Sequence, residues 1–201
     1  MYRPAAFAVD DAQELHAFIR AQPFATIAAV VDGAVQFAYA PVVVSAAGLA
    51  RFHLARANPV AGLADGTRVR LSFLGANAYV SPDWYERAAM VPTWNYSAVE
   101  AEGALRRMSE DALRSLLIDL SAAEEEKLRP KRPWTIDKVP SERMAGLLQA
   151  IAGFEVRFET LAGKFKLSQD KAPQDFDGVL RGLDGCGDAA SAAVAQAMRR
   201  L

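Results

Sequence analysis

Cysteine and histidine are nearly missing from this chain. One cysteine in 201 residues, Cys186, excludes an internal disulfide. Two histidines, His16 and His53, are too few for a Cys/His zinc centre, so no metal site is assigned. Charge of one sign is missing too. The 23 basic and 24 acidic residues leave a formal charge of −1, so no general basic field draws the chain to nucleic acid or to an anionic membrane. Any such binding would need a local patch. Arg3, Asp10, Asp11 and Glu14 interrupt the first residues, which does not suit a cleaved leader, and the cytoplasm is the expected compartment. One uncharged run, 33–50, is interrupted by Gln36, Pro41 and Gly48 and reads as two strands rather than a membrane span.

Several motifs of known chemistry are also lacking. Gly182, Gly185 and Gly187 do not have the G-x-G-x-x-G order, Gly163-Lys164 lacks the rest of a Walker A loop, and no Ser-His-Asp elbow occurs. No catalytic residue is assigned on this basis.

What remains is a composition of 52% hydrophobic and 23% charged residues, ordinary for one globular domain. The pattern predicts a helix from about Asp10 with Leu15, Phe18 and Ile19 on one stripe, ending before Pro23. Short strands follow at 24–31, 34–44, 49–54, 67–74 and 76–81, separated by Gly, Asp and Asn turns, as in an antiparallel sheet or barrel. An aromatic loop is expected over 81–96, then a strand at 99–104. Ser109 opens a helix carrying Leu113, Leu116, Leu117 and Leu120, and Ser121 with Glu124 reads as a capping box for a further short helix. A Lys/Arg/Pro linker (127–133), a helix (about 141–150), a strand (154–160) and two C-terminal helices complete the chain. The expected class is mainly β with flanking helices (α+β), one domain over 1–201 with helical additions at about 105–150 and 173–201.

Three segments carry the candidate site. In 51–65 a strand runs into Asn58-Pro59, an amide cap followed by proline at the first helical position, with His53 and Arg56 just before it. A helix N-terminus beside a guanidinium suits a phosphate or carboxylate; a solvated arginine and a plain cap are the alternative. Trp94-Asn95-Tyr96 offers rings and an amide to a flat heteroaromatic ligand, or else seals a dimer interface. In 163–169, alternation puts Lys164, Lys166 and Ser168 on one strand face, with Gln169 next, and Gly163 is expected to mark a bend where the core face turns outward.

These segments, together with Met1-Tyr2-Arg3-Pro4 and Phe7, Tyr79 to Tyr85, Val91 to Tyr96 and Ile151 to Phe154, resemble in order the PaiB-like family of FMN-binding negative transcriptional regulators. The resemblance implies an antiparallel split β-barrel of the FMN-binding, pyridoxamine-phosphate-oxidase-like type, a homodimer, and FMN as cofactor. It implies phosphate or ribityl contacts from His53, Arg56 and Asn58, ring-edge or interface contacts from Trp94 and Asn95, and a second polar cluster of Lys164, Lys166, Ser168 and Gln169. The chain departs from the family pattern at Tyr39 and Glu100, each in place of a histidine, and at Asp170-Lys171 in place of Asn-Arg, which argues against haem or histidine-based redox chemistry. The function expected is that of a flavin-binding regulator whose DNA or transcriptional partner is unassigned. The alternative is an FMN-dependent oxidoreductase or flavin reductase fed by a nicotinamide.

Overall fold

The computed structural model describes residues 1–201. Nine strands and five helices follow one another: β1 (Ala8–Val9), α1 (Ala12–Ala21), β2 (Phe24–Val31), β3 (Ala34–Pro41), β4 (Val43–Val44), β5 (Leu49–Ala55), β6 (Arg68–Val80), β7 (Thr93–Arg107), α2 (Glu110–Glu126), α3 (Ser141–Gln149), β8 (Ile151–Arg157), β9 (Thr160–Lys166), α4 (Pro173–Gly185) and α5 (Ala189–Met198). They form two compact units, and β6 and β7 each contribute residues to both.

The larger unit comprises Ala12–Phe73 and Glu100–Leu161. Its strands run β3-β2-β6 and β7-β8-β5-β4, with antiparallel pairing. The β2–β3 hairpin is tight because Asp32 and Gly33 both take positive φ, the geometry of a two-residue turn whose twist matches its strands. Period-two alternation buries Ile27, Leu71, Phe52 and Phe154, the last two with ring centres 5.8 Å apart. Gly103 has no alternative: a Cβ there would lie 2.1 Å from the Arg157 carbonyl. Leu113 and Leu116 of α2 and Met144 and Leu148 of α3 form a second cluster.

The opposite face of the hairpin is apolar and exposed. Register places Phe24, Ala28 and Val30 of β2 beside Pro41, Phe37 and Val35 of β3, and Phe24, Phe37 and Tyr39 are 65%, 56% and 62% exposed. Next to it lies a charged ladder in which Arg68 and Arg70 bond Glu102 and Arg68 also pairs with Glu159.

The smaller unit comprises Met1–Asp11, Leu74–Val99 and Ala162–Leu201, with strand order β6-β7-β9-β1. Helices α4 and α5 bury Val179, Leu183, Val194 and Met198 with Val80, Tyr85 and Leu167. Gly178 and Gly182 form a notch for Trp84, whose ring would lie 2.2 Å from a Cβ at 182. Asp175, 2% exposed, accepts the Glu86 and Arg87 amides and so ties the following loop to α4.

Several elements differ from the sequence reading. The expected strands 67–74 and 76–81 are one strand, because Gly75 sits in an extended run rather than a turn. Residues 93–96 belong to β7 and not to a loop. Helix α2 passes through Ser121 unbroken, so Ser121 and Glu124 cap nothing; the only cap at its start is Ser109, which accepts the Ala112 amide. The bend expected at Gly163 falls instead at Phe158-Glu159, between β8 and β9, and Gly163 lies inside β9 opposite Val9.

Candidate functional site

In the smaller unit, β9 presents Lys164 and Lys166 on successive same-face positions, and the N-terminal segment lies against them because β1 pairs Ala8 with Lys164. Lys164 is 9% exposed, and its ammonium stands between two rings, 5.4 Å from the centre of Tyr2 and 5.2 Å from that of Tyr96. Lys166 Nζ donates to Thr93 Oγ1 and to the Trp94 carbonyl, each at 2.8 Å, and lies 5.9 Å from the Phe7 ring centre. Neither ammonium is paired with a carboxylate. Burial pushes the Lys166 ammonium below its ordinary pKa; nearby Asp170 opposes this, and Lys171 and Lys164 add to it.

Trp94 is half exposed and meets Tyr79 edge-on, ring centres 6.4 Å apart. Trp94, Tyr96 and the two lysines thus make an aromatic and basic platform on one sheet face. Asn95, Ser168 and Gln169, three of the expected ligand residues, are otherwise engaged. Asn95, fully buried, donates from Nδ2 to Ser168 Oγ at 2.9 Å, and Ser168 Oγ donates back to Asn95 Oδ1 at 3.3 Å. Gln169 folds onto its own strand end, accepting the Leu167 amide and donating to the Phe165 carbonyl. Tyr2, Phe7 and Thr93 are site residues that spacing alone did not mark, because only the β1–β9 pairing and the length of β7 bring them to the lysines.

The larger unit holds His53, Arg56 and Asn58. Asn58 caps as expected, its Oδ1 accepting the Val60 amide at 2.9 Å, but what it caps is a four-residue 3-10 turn, Pro59–Gly62, and not an α-helix. So short a turn carries no useful macrodipole. Arg56 donates from Nε to the Gln149 carbonyl at 2.8 Å and from Nη2 to the Ile151 carbonyl at 3.0 Å, tying the end of β5 to the junction of α3 and β8. A cavity of about 120 Å³ lies beside it, lined also by Arg107, Ser109 and Leu148. His53, opposite Gly153, is half-buried with its Nδ1 buried and unpartnered, and burial lowers its pKa. Arg56 is exposed, and its Nε and Nη2 are the guanidinium nitrogens engaged in these bonds.

Residues 1–160 match the family described as "Putative FMN-binding domain". The chain is 30% identical over 188 residues to "Protease synthase and sporulation protein PAI 2" of Bacillus subtilis, covering 91% of this chain and 89% of that protein. Its fold is similar to that of the FAD and heme binding protein from Mycobacterium smegmatis, with TM-score 0.60, 18% identity, and coverage of 85% of this chain and 78% of that one. It is similar also to the flavocytochrome Anf3 from Azotobacter vinelandii, with TM-score 0.59, 18% identity, and coverage of 82% and 72%. These likenesses bear out the antiparallel split-barrel fold. No helix is long and apolar enough to cross a membrane.

Proposed function

This chain belongs to the FMN-binding domain family, and from that premise we propose a homodimeric flavoprotein whose bound FMN biases a negative regulator of transcription. The observation that carries the cofactor reading is the lysine pair on the aromatic platform. A buried ammonium is costly unless an anion compensates it, and Lys164 and Lys166 have ring faces, a hydroxyl and a carbonyl instead. A flat ring system with an anionic tail satisfies both the charge and the exposed Trp94 face.

FMN, when bound, supplies hydride and electron chemistry. The chain's own residues supply the rest: Lys164 and Lys166 hold the anionic end, Trp94 and Tyr96 offer ring faces, and Asn95 with Ser168 keeps β7 and the end of β9 in place. Arg56 and Asn58 are given a structural part, since their polar groups hold the β5, α3 and 3-10 segments together.

The homodimer is supported by the β2–β3 face. Phe24, Val30, Val35, Phe37 and Tyr39 form one exposed apolar surface, and contiguous patches of that kind mark interaction sites in soluble proteins. The neighbouring ladder carries both signs, so a second copy of the same face complements it. The regulatory part is supported by the Bacillus subtilis relative, which is named for protease synthesis and sporulation.

An absorbance scan and FMN titration of the purified protein test the cofactor reading. Saturable binding is expected in the wild type, weaker by tenfold or more in Lys164→Met. Light scattering should give a dimer mass for the wild type and a monomer mass for Phe37→Asp. Fluorescence polarisation on promoter DNA at low salt, with and without FMN, tests regulation; rapid bleaching by NADH together with no DNA response would favour the oxidoreductase instead.

A further inference from the structure

Resting on the FMN reading above, we propose that Lys166 is a modification site: its ε-nitrogen takes the acyl group of a small acyl thioester, and the amide so formed no longer holds the flavin's anionic end. Six lysines occur in the chain, and their surroundings set this one apart. Lys127, Lys131 and Lys171 are engaged with the carboxylates of Glu124, Glu125 and Asp170. Lys138 is exposed, against the Pro133 carbonyl. Lys164 is buried between two rings, which bars an acyl donor from it. Lys166 alone is half-buried, within reach of a small molecule, and without a carboxylate partner.

The hydrogen bonds of Lys166 already suit a neutral amine. An ammonium has three N–H donors, whereas an amine has two and a lone pair. Thr93 Oγ1 and the Trp94 carbonyl are the two protein acceptors at Nζ, so loss of the third proton breaks no hydrogen bond within the protein. Burial favours the same form; of the charged groups nearby, Lys171 and Lys164 add to that effect and Asp170 opposes it, while Phe7 brings apolar surface and no charge. A desolvated lysine beside other cations is an activated nucleophile. The amine attacks the thioester carbonyl carbon: a C–N bond forms, the C–S bond breaks, and the departing thiolate takes up the proton that nitrogen gives up. An amide and a free thiol result, with no oxidant or reductant required. The amide is uncharged and keeps a single N–H, so flavin occupancy becomes dependent on the supply of acyl thioesters. Bound FMN, in turn, holds the nitrogen as an ammonium and shields it.

Incubation of the full-length protein with acetyl-CoA, followed by peptide mass spectrometry at each lysine, tests this. Lys166 should be acetylated about threefold or more faster than exposed Lys138, and its rate should level off at a lower pH. Saturating FMN should slow the reaction at 166 by about tenfold and leave 138 unchanged, and the acetylated wild type should bind FMN about tenfold more weakly. Lys166→Arg, which keeps the charge but not the reactive amine, should hold its FMN affinity through the same treatment; the order of labelling in the wild type is a separate readout that needs no variant to fold. Labelling at 166 no faster than at 138 would overturn the modification site while leaving FMN binding intact. Preferential labelling with neither FMN protection nor loss of affinity would overturn its link to the flavin. Failure of the untreated wild type to bind FMN would overturn the cofactor reading and that link with it.

Discussion

Asn95 and Ser168 satisfy each other: amide and hydroxyl exchange two hydrogen bonds in a site where neither side chain reaches water, and the Asn95 amide also touches Met198 Sδ at 3.5 Å. Ser168 takes a positive φ of 64° to make this contact, an unusual backbone geometry for a residue with a Cβ. Replacing Asn95 by alanine takes the amide partner from the buried hydroxyl, which keeps only its contact with Tyr85, and opens a void beside α5. A loss of about 1–3 kcal/mol in unfolding free energy is expected, read by urea denaturation. FMN affinity should follow only through that loss, and at saturating stability the two proteins should bind alike.

Arg56→Ala separates two roles that the motif alone confounds. The guanidinium holds two backbone carbonyls, at Gln149 and Ile151, so its removal should loosen the α3–β8 junction by about 1.5–3 kcal/mol, seen as faster amide exchange there. FMN affinity should stay within about twofold of the wild type. A tenfold drop in affinity with unchanged melting would return the arginine to the cofactor phosphate.

The sequence made the architecture legible where short apolar runs were bounded by turn residues. Runs at 24–31 and 49–54 between Gly, Asp and Asn turns predicted β2 and β5 within a residue, and the Asp32-Gly33 turn between two apolar runs marked the hairpin. It failed where pairing decides: Gly75 and the aromatic run 93–96 read as breaks, yet ladder bonds to neighbouring strands keep β6 and β7 continuous. The site divides in the same way. Lys164 and Lys166 were marked by alternation, which is local. Tyr2 was not, since only a β1–β9 register brings a residue 162 positions away onto the same ammonium. Asn95, Ser168 and Gln169 were marked as polar residues in a motif, but whether a polar side chain faces a ligand or another side chain is a tertiary fact.

Stability should decline on mild acidification because of the two histidines. Burial lowers the pKa of both His53 and His16 below 6.5, with Arg20 adding to the effect at His16. Each is then neutral in the folded state and takes up its proton more readily when unfolded. Their contribution is whole above 6.5, and it is lost as pH falls from 6.5 through the lower folded-state value. Tm should therefore drop by a few degrees between about pH 7 and 5, and His53→Gln should show a shallower slope over that window. An unchanged slope would mean that the imidazole at 53 is not the buried neutral group its orphaned Nδ1 indicates.

Lys166 should make FMN affinity and apoprotein stability respond to alkaline pH in opposite directions. Burial holds its pKa below 10.5, so the folded apoprotein sheds this proton before the unfolded chain does. Below the folded-state value the ammonium is charged in both states and its burial is a cost. As pH rises from there toward 10.5, the folded state is relieved of the charge while the unfolded chain still carries it, and stability gains. The anion needs that same charge. The FMN phosphate is already largely a dianion above about pH 7, so from there upward the lysine controls the pH dependence, and affinity should fall as pH climbs through the Lys166 value. Fluorescence titration of FMN alongside urea denaturation across alkaline pH should show the two curves crossing in slope. In Lys166→Met both trends should flatten together; a Met variant that kept the wild-type affinity profile would place the anionic end of the flavin elsewhere.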